Sequence, residues 1–319
     1  MSHHLNRRAL VGGAVVAATT ALIPHSGDAR VSPARTAIQL PIPPRYQWEE
    51  RKGYCGESCV QQAALLFGSY VSQHACRALI DPRQRRPFLV AMNDRRVLRL
   101  LQFDSAEFPY PDHRTPQFEP YLTWTKQHLA AGHPVLITAY GKYLRDPDYD
   151  HLMLATGFDA QQIDRHLDTD VLVFNDCFSR DACHRTVASL SDDRRMRGNG
   201  RDHEFCIPTR VDFGCAITGI IDQSGDARPV RLALDGNREP NIMAGASPER
   251  LDLAVTIEGL TPGTRYALYR YDDHRHVPTS GYASSRYDTV DTFVASGSTR
   301  ETTTTVMSDR IVTFRCVPA

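Results

Sequence analysis

Apolar positions recur at helical spacing from Cys55 to Phe67, at Cys55, Cys59, Val60, Ala63, Ala64 and Phe67. The stretch is rich in Gln, Ala and Leu and predicts a helix, which Gly68 is placed to end. Asn93–Leu101 predicts a second short helix. Tyr121–Pro134 predicts a third, closed by Gly132 and Pro134. The period then shortens. Pro134–Tyr140, His151–Phe158 and Val171–Asp176 are short apolar runs parted by turn-forming residues, and each reads as a strand. Phe205–Pro208 and Phe213–Asp222 add further strands. Helices first and strands afterwards predict an α+β fold rather than alternating βαβ units.

The pattern shifts again near Asp226. Val230–Gly236, Arg250–Leu260, Thr264–Asp273 and Arg310–Cys316 alternate apolar and polar residues, with Leu251, Leu253, Val255 and Ile257 on one buried face. Pro262-Gly263 punctuates two of these strands. The stretch "GLTPGTRYALY" resembles a turn-and-strand pattern of fibronectin type III-like domains, so residues 226–319 are expected to form a small all-β sandwich. Residues 46–225 would form the first domain. Residues 30–45 contain four prolines and read as an extended lead-in.

Charge and cysteine usage narrow the setting. Lys+Arg and Asp+Glu both number 37, so no electrostatic footprint for nucleic acid is expected. Arg7-Arg8 precede an uncharged, small and apolar run, Ala9–Ile23, which is short for a membrane span. Residues 1–29 therefore read as an export signal, with an arginine pair like that of twin-arginine signals. The expected location is secreted or periplasmic, with no membrane span after signal removal. Export permits disulfides among the eight cysteines. No CxxC or CxxC–HxxxH spacing occurs, so no structural zinc site, and no cofactor, is expected.

Cys55 opens the first predicted helix. A thiol there meets the positive end of the helix dipole and unpaired backbone N–H groups, which favour thiolate. Cys59 lies one turn deeper and is better suited to packing or a disulfide. A nucleophilic cysteine needs a base, and the base needs an orienting acceptor. His151 begins one strand and Asp176 ends the next. Adjacent antiparallel strands would bring the two together. Strand alternation lets only one of the neighbours Asp176 and Asn175 face His151. Asp272–His276 and Asp146–His151 read as polar loops. Trp124 reads as core.

In this order the residues resemble the papain-like cysteine peptidases, nearest the bacteriocin-processing peptidases that cleave double-glycine leaders. Gln47 precedes Tyr54-Cys55-Gly56 at a helix start. "LAAGHPV" (Leu129–Val135) is similar to that branch's helix-to-strand step. A His-led strand then runs to Gly157-Phe158-Asp159, and a strand ends in Asp176, where Cys177 replaces the usual proline. The resemblance spans 46–222. It implies a papain-like domain with Cys55 as nucleophile, His151 as base and acid, and Asp176 as orienter, with Asn175 as the alternative orienter. Gln47 would share the oxyanion hole. The activity implied is thiol-dependent hydrolysis of a peptide or protein through a thioester. Acyl transfer of transglutaminase type is the alternative within enzymes. A non-catalytic secreted binding protein is the alternative outside them.

Overall fold

The computed structural model describes residues 34–48, 53–83, 89–143, 146–190, 205–207 and 213–319, with backbone alone at 89–94, 140–150 and 205. The stretch read as an export signal lies outside them. In chain order the first part contains β1 (Thr36–Gln39), α1 (Cys55–Leu66), β2 (Ser69–Val71), α2 (Gln73–Ala78), α3 (Leu89–Leu100), β3 (Phe103–Glu107) and α4 (Phe118–Ala130). There follow β4 (Val135–Tyr143), β5 (Asp146–Ala160), β6 (Val171–Asn175), β7 (Cys183–Thr186), α5 (Val187–Leu190), β8 (Phe205–Cys206) and β9 (Gly214–Ile220). The remainder is β10 (Val230–Leu234), β11 (Arg250–Ile257), β12 (Arg265–Tyr271), β13 (Thr289–Val294), β14 (Arg300–Met307) and β15 (Ile311–Pro318). Helices packed on antiparallel sheets make the fold α+β.

One sheet runs β3-β9-β4-β5-β6-β7, with β1 added to β5 and β8 to β4. Helix α1 forms where its period predicts and ends at Gly68, whose φ is +70°. An added Cβ on Gly68 would also meet Val230 Cβ at 2.9 Å, so the residue answers both conformation and space. Eleven of the twelve α1 residues are buried. A helix buried on every side cannot solvate its polar side chains, and each needs a partner. Ser58 donates to Arg45 O at 3.1 Å, and Gln62 donates to Ser58 Oγ at 3.2 Å. Gln61 donates to Val71 O at 2.9 Å and to Glu239 at 2.6 Å.

The lead-in is not merely extended. β1 pairs antiparallel with β5, setting Gln39 opposite Gly157. A Cβ on Gly157 would fall 2.3 Å from Ile38 O and 2.8 Å from Gln39 Oε1. Gly157→Ala must push β1 off the sheet, at a typical overpacking cost of about 1–3 kcal/mol. The expected result is a lower urea midpoint with unchanged slope. An unchanged midpoint would mean that β1 contributes nothing to the folded state. Asp146–Asp150, read from the sequence as a loop, is instead the first part of β5. Its pairing with β4 at Tyr140–Tyr143 supplies backbone hydrogen bonds that a polar composition does not advertise.

Beyond Asp226 two antiparallel sheets, β10-β11-β14 and β13-β12-β15-β2, share one apolar core. Leu253, Val255 and Ile257 of β11 face Leu268, Phe293 and Phe314 within it. The second sheet is completed by β2, from the first part of the chain, through Ile311↔Val71 and Thr313↔Ser69. Glu239 adds a polar joint. It accepts from Gln61, from the Gln73 backbone N–H at 2.8 Å, and from the Tyr70 hydroxyl at 2.9 Å. Ala34–Ala319 accordingly forms one compact unit rather than two. No helix among the described residues is long and apolar enough to cross a membrane.

Candidate functional site

Three elements converge on one buried group, His151. It lies in β5 opposite Ala139 of β4, and its ring is fully buried. Its Nε2 is 2.9 Å from Asp176 Oδ1. Strand β6 ends at Asn175, opposite Leu154 of β5, so Asp176 is the first residue past the strand end. Its Oδ1 also accepts from the Phe178 backbone N–H at 3.1 Å, which fixes the carboxylate. The Phe178 ring stacks on the imidazole, with centroids 5.0 Å apart and planes at 19°.

Asn175 points elsewhere. Its Nδ2 donates to Ile42 O and to Gln62 Oε1, each at 2.9 Å. Neighbours at a strand end diverge, so the carboxylate goes to His151 and the amide ties β6 to α1.

Cys55 is the first residue of α1, 3% exposed, and a thiol in this structure. Its thiol acts electrostatically on His151. Burial alone would favour a neutral ring. The bond to Asp176 and the Cys55 thiol outweigh it and hold the His151 pKa up at about 9. Cys59 and Cys177 are also thiols, and burial pushes both well up, so they stay protonated at neutral pH.

Gln47 is placed at the start of the same helix. Its Oε1 accepts from the Tyr54 backbone N–H at 2.9 Å, and its own backbone N–H donates to Cys177 O at 3.0 Å. The four residues singled out by sequence, Gln47, Cys55, His151 and Asp176, therefore gather around one helix mouth.

Sequence reading missed the supports. Arg77 of α2 is fully buried and donates Nε to Glu57 Oε1 at 2.6 Å and Nη2 to Gly53 O. Its Cζ sits 3.6 Å over the Tyr54 ring. One side chain thus grips the two residues before Cys55 and the first turn after it. Nothing in "HACRAL" marks Arg77 as internal, because an isolated arginine in a short helix reads as solvated. Cys177 was visible only as the residue standing where a proline was expected; its Sγ lies 3.8 Å from His151 Nε2.

Ligand-type atoms of His151, Asp176 and Cys177 lie within 4.8 Å of one another. These are the atoms of the site that could hold a metal ion, although Asp176 Oδ1 is already engaged twice. Trp48 is buried with its ring 5.0 Å from Tyr54, beside the helix mouth. Trp124 is only partly buried and packs on Phe108 and Tyr121 against the edge of the core. Asp273 in the other polar loop is taken up by Arg275 at 2.6 Å. Comparison with family models, curated proteins and solved structures returned no match to this chain.

Proposed function

We propose that this chain is an exported thiol-dependent hydrolase of peptide or amide bonds, built on a papain-like catalytic domain. The observation that carries the reading is the Asp176 carboxylate 2.9 Å from His151, with the Cys55 thiol at a helix start acting on the same ring. That is the nucleophile–base–orienter order which activated thiols require.

With Nε2 given to Asp176, Nδ1 is the ring nitrogen that takes the Cys55 proton. The thiolate then attacks the acyl carbon. The tetrahedral oxyanion sits at the α1 N-terminus, where the Cys55 N–H has no intrahelical acceptor. Gln47 supplies the second donor: its Oε1 is bound to Tyr54 N–H, so its NH₂ end points away as a donor. His151 returns the proton to the leaving amine. Water, activated by the same ring, hydrolyses the thioester and restores the thiol. Cys59 and Cys177 remain protonated packing residues.

Iodoacetamide labelling of the folded protein, followed by peptide mapping and assay on a broad peptide library, tests this. Hydrolysis is expected to fall in step with carboxamidomethylation of Cys55, ahead of Cys59 and Cys177. Activity that survives full modification of Cys55, or a Cys55 recovered in a disulfide from active protein, sinks the reading. Incorporation of an added amine with release of ammonia would move the acceptor from water to amine.

A further inference from the structure

The imidazole that serves the thiol has a sulfur neighbour which the thiol chemistry leaves idle. His151 Nε2 lies 2.9 Å from Asp176 Oδ1 and 3.8 Å from Cys177 Sγ. One ligand-type atom of each residue falls within 4.8 Å of the other two, and all three residues are buried. A nitrogen, an oxygen and a sulfur are thus gathered in one small volume. They come as a neighbouring pair and a distant histidine, so no CxxC-type spacing announces them.

The spacing suits a particular ion. Zinc binds His nitrogen at about 2.0–2.1 Å, carboxylate oxygen at about 2.0–2.2 Å and Cys sulfur at about 2.3 Å, in a tetrahedron. Ligand atoms on such an ion stand roughly 3.3–3.6 Å apart. The observed 2.9 and 3.8 Å bracket that range, so small shifts seat the ion. Hard cations take oxygen ligands, whereas imidazole and thiolate select zinc. One carboxylate and one thiolate also neutralise a dication, which removes the penalty of burying an unpaired charge. The ligands are held from outside, as metal ligands usually are. Phe178 N–H bonds Asp176 Oδ1 at 3.1 Å, the Phe178 ring stacks on the imidazole, and Gln47 N–H bonds Cys177 O at 3.0 Å. The Asp176 side chain is 6% exposed, so the cluster reaches solvent through its carboxylate.

We propose that His151 Nε2, an Asp176 carboxylate oxygen and Cys177 Sγ form a three-ligand zinc site, which the ion occupies in place of the proton shared by His151 and Asp176. Metal ligands bind deprotonated, so the Nε2 proton and the Cys177 thiol proton leave as the ion enters. The fourth position stays open. The ion takes both the base and its orienter, so the zinc form is idle and the metal-free form is the one that hydrolyses. Coordination stands on the three ligand atoms alone; the inhibition rests on the thiol reading above.

Cobalt(II), a spectroscopic stand-in for zinc, is titrated into the whole chain, followed by zinc in competition. One-to-one binding is expected, with a thiolate-to-cobalt charge-transfer band in the near ultraviolet that zinc erases. Cys177→Ser should lose the band and weaken zinc binding by at least about 100-fold, since outer partners alone are worth about 10–100-fold. Measured against its own metal-free rate, hydrolysis by Cys177→Ser should resist zinc at concentrations that halt wild type. Should Cys177→Ser fail to fold, Asp176→Asn replaces it in the binding titration and should weaken zinc by at least about tenfold. The site is overturned if wild type binds no metal, or if the folded variant binds zinc like wild type. It is overturned too if cobalt binds without the band, as it would at His128 and His133, whose Nδ1 atoms are 3.2 Å apart. Zinc-loaded wild type hydrolysing at the metal-free rate would overturn the inhibition. A chain that binds the metal as expected but cleaves no peptide would uphold the site and sink the hydrolase reading alone.

Discussion

Asp176→Asn is expected to lower kcat/KM for peptide hydrolysis by about 10²–10⁴, the usual contribution of a positioned acid–base group, with Cys55→Ala defining the zero of the assay. The pH profile should change with it. In the intact site the imidazolium is the form that keeps the thiolate paired, and the His151 pKa is held up at about 9. The alkaline limb should therefore lie near pH 9. Burial is the largest influence on His151 and opposes its charge; the Asp176 bond overcomes it. Without the carboxylate the limb should drop to about pH 6.5, the free-imidazole value, or below. Stability should follow the same group. Folded protein binds more protons than unfolded between about pH 6.5 and 9. The contribution is thus fully present below about 6.5 and is lost as pH rises through 9. Melting across that window should show the loss in wild type and not in Asp176→Asn. A limb that stays near 9 in the variant would mean that Asp176 does not act on His151.

The largest effect on stability is expected at Arg77→Met. Arg77 and Glu57 are 0% and 1% exposed and joined at 2.6 Å. Burial already pushes the Glu57 carboxyl up, with the Arg77 bond opposing. Removing the arginine strands a buried carboxylate, and breaking such a pair from one side costs about 3–5 kcal/mol. It also frees Gly53 O and the face of Tyr54, the two residues that lead into Cys55. The urea midpoint should fall by the corresponding amount at constant slope. Arg77→Met with Glu57→Leu should recover much of the loss, since no charge is then left unpaired. If the double variant is no more stable than Arg77→Met alone, the pair is not what Arg77 contributes.

Much of the candidate site is legible in sequence because it depends on local pattern. Cys55 announces itself by opening a helical period, and Asp176 by following directly on a strand; His151, which reads as the start of a strand, lies inside β5. Choosing between Asp176 and Asn175 needs coordinates, because period-2 alternation separates two neighbours without saying which faces which way. The supports are hidden for a different reason. Arg77, Glu57 and Glu239 are polar residues whose burial is settled by distant parts of the chain, and composition treats them as surface. The alternation of Leu251–Ile257 forecasts β11 correctly. β2 is three residues long and carries no period of its own. Its strand character comes entirely from β15. The change of composition near Asp226 marks a change of sheet, yet β2 and Glu239 bind the two parts together.

That pairing bears on the order in which the molecule can be made. Ser69 and Thr313 are 244 residues apart, so β2 waits for β15 to leave the ribosome. At about 5–20 residues per second the interval is roughly 12 seconds or more. During it Leu65 and Tyr70, later buried against Val312 and Phe314, have no permanent cover. Closing so long a loop is slow, and an unpaired strand beside exposed apolar residues invites association. The helix that carries Cys55 thus acquires its full surroundings only once β15 arrives, and a nascent chain cannot present a finished thiol site before that strand is made.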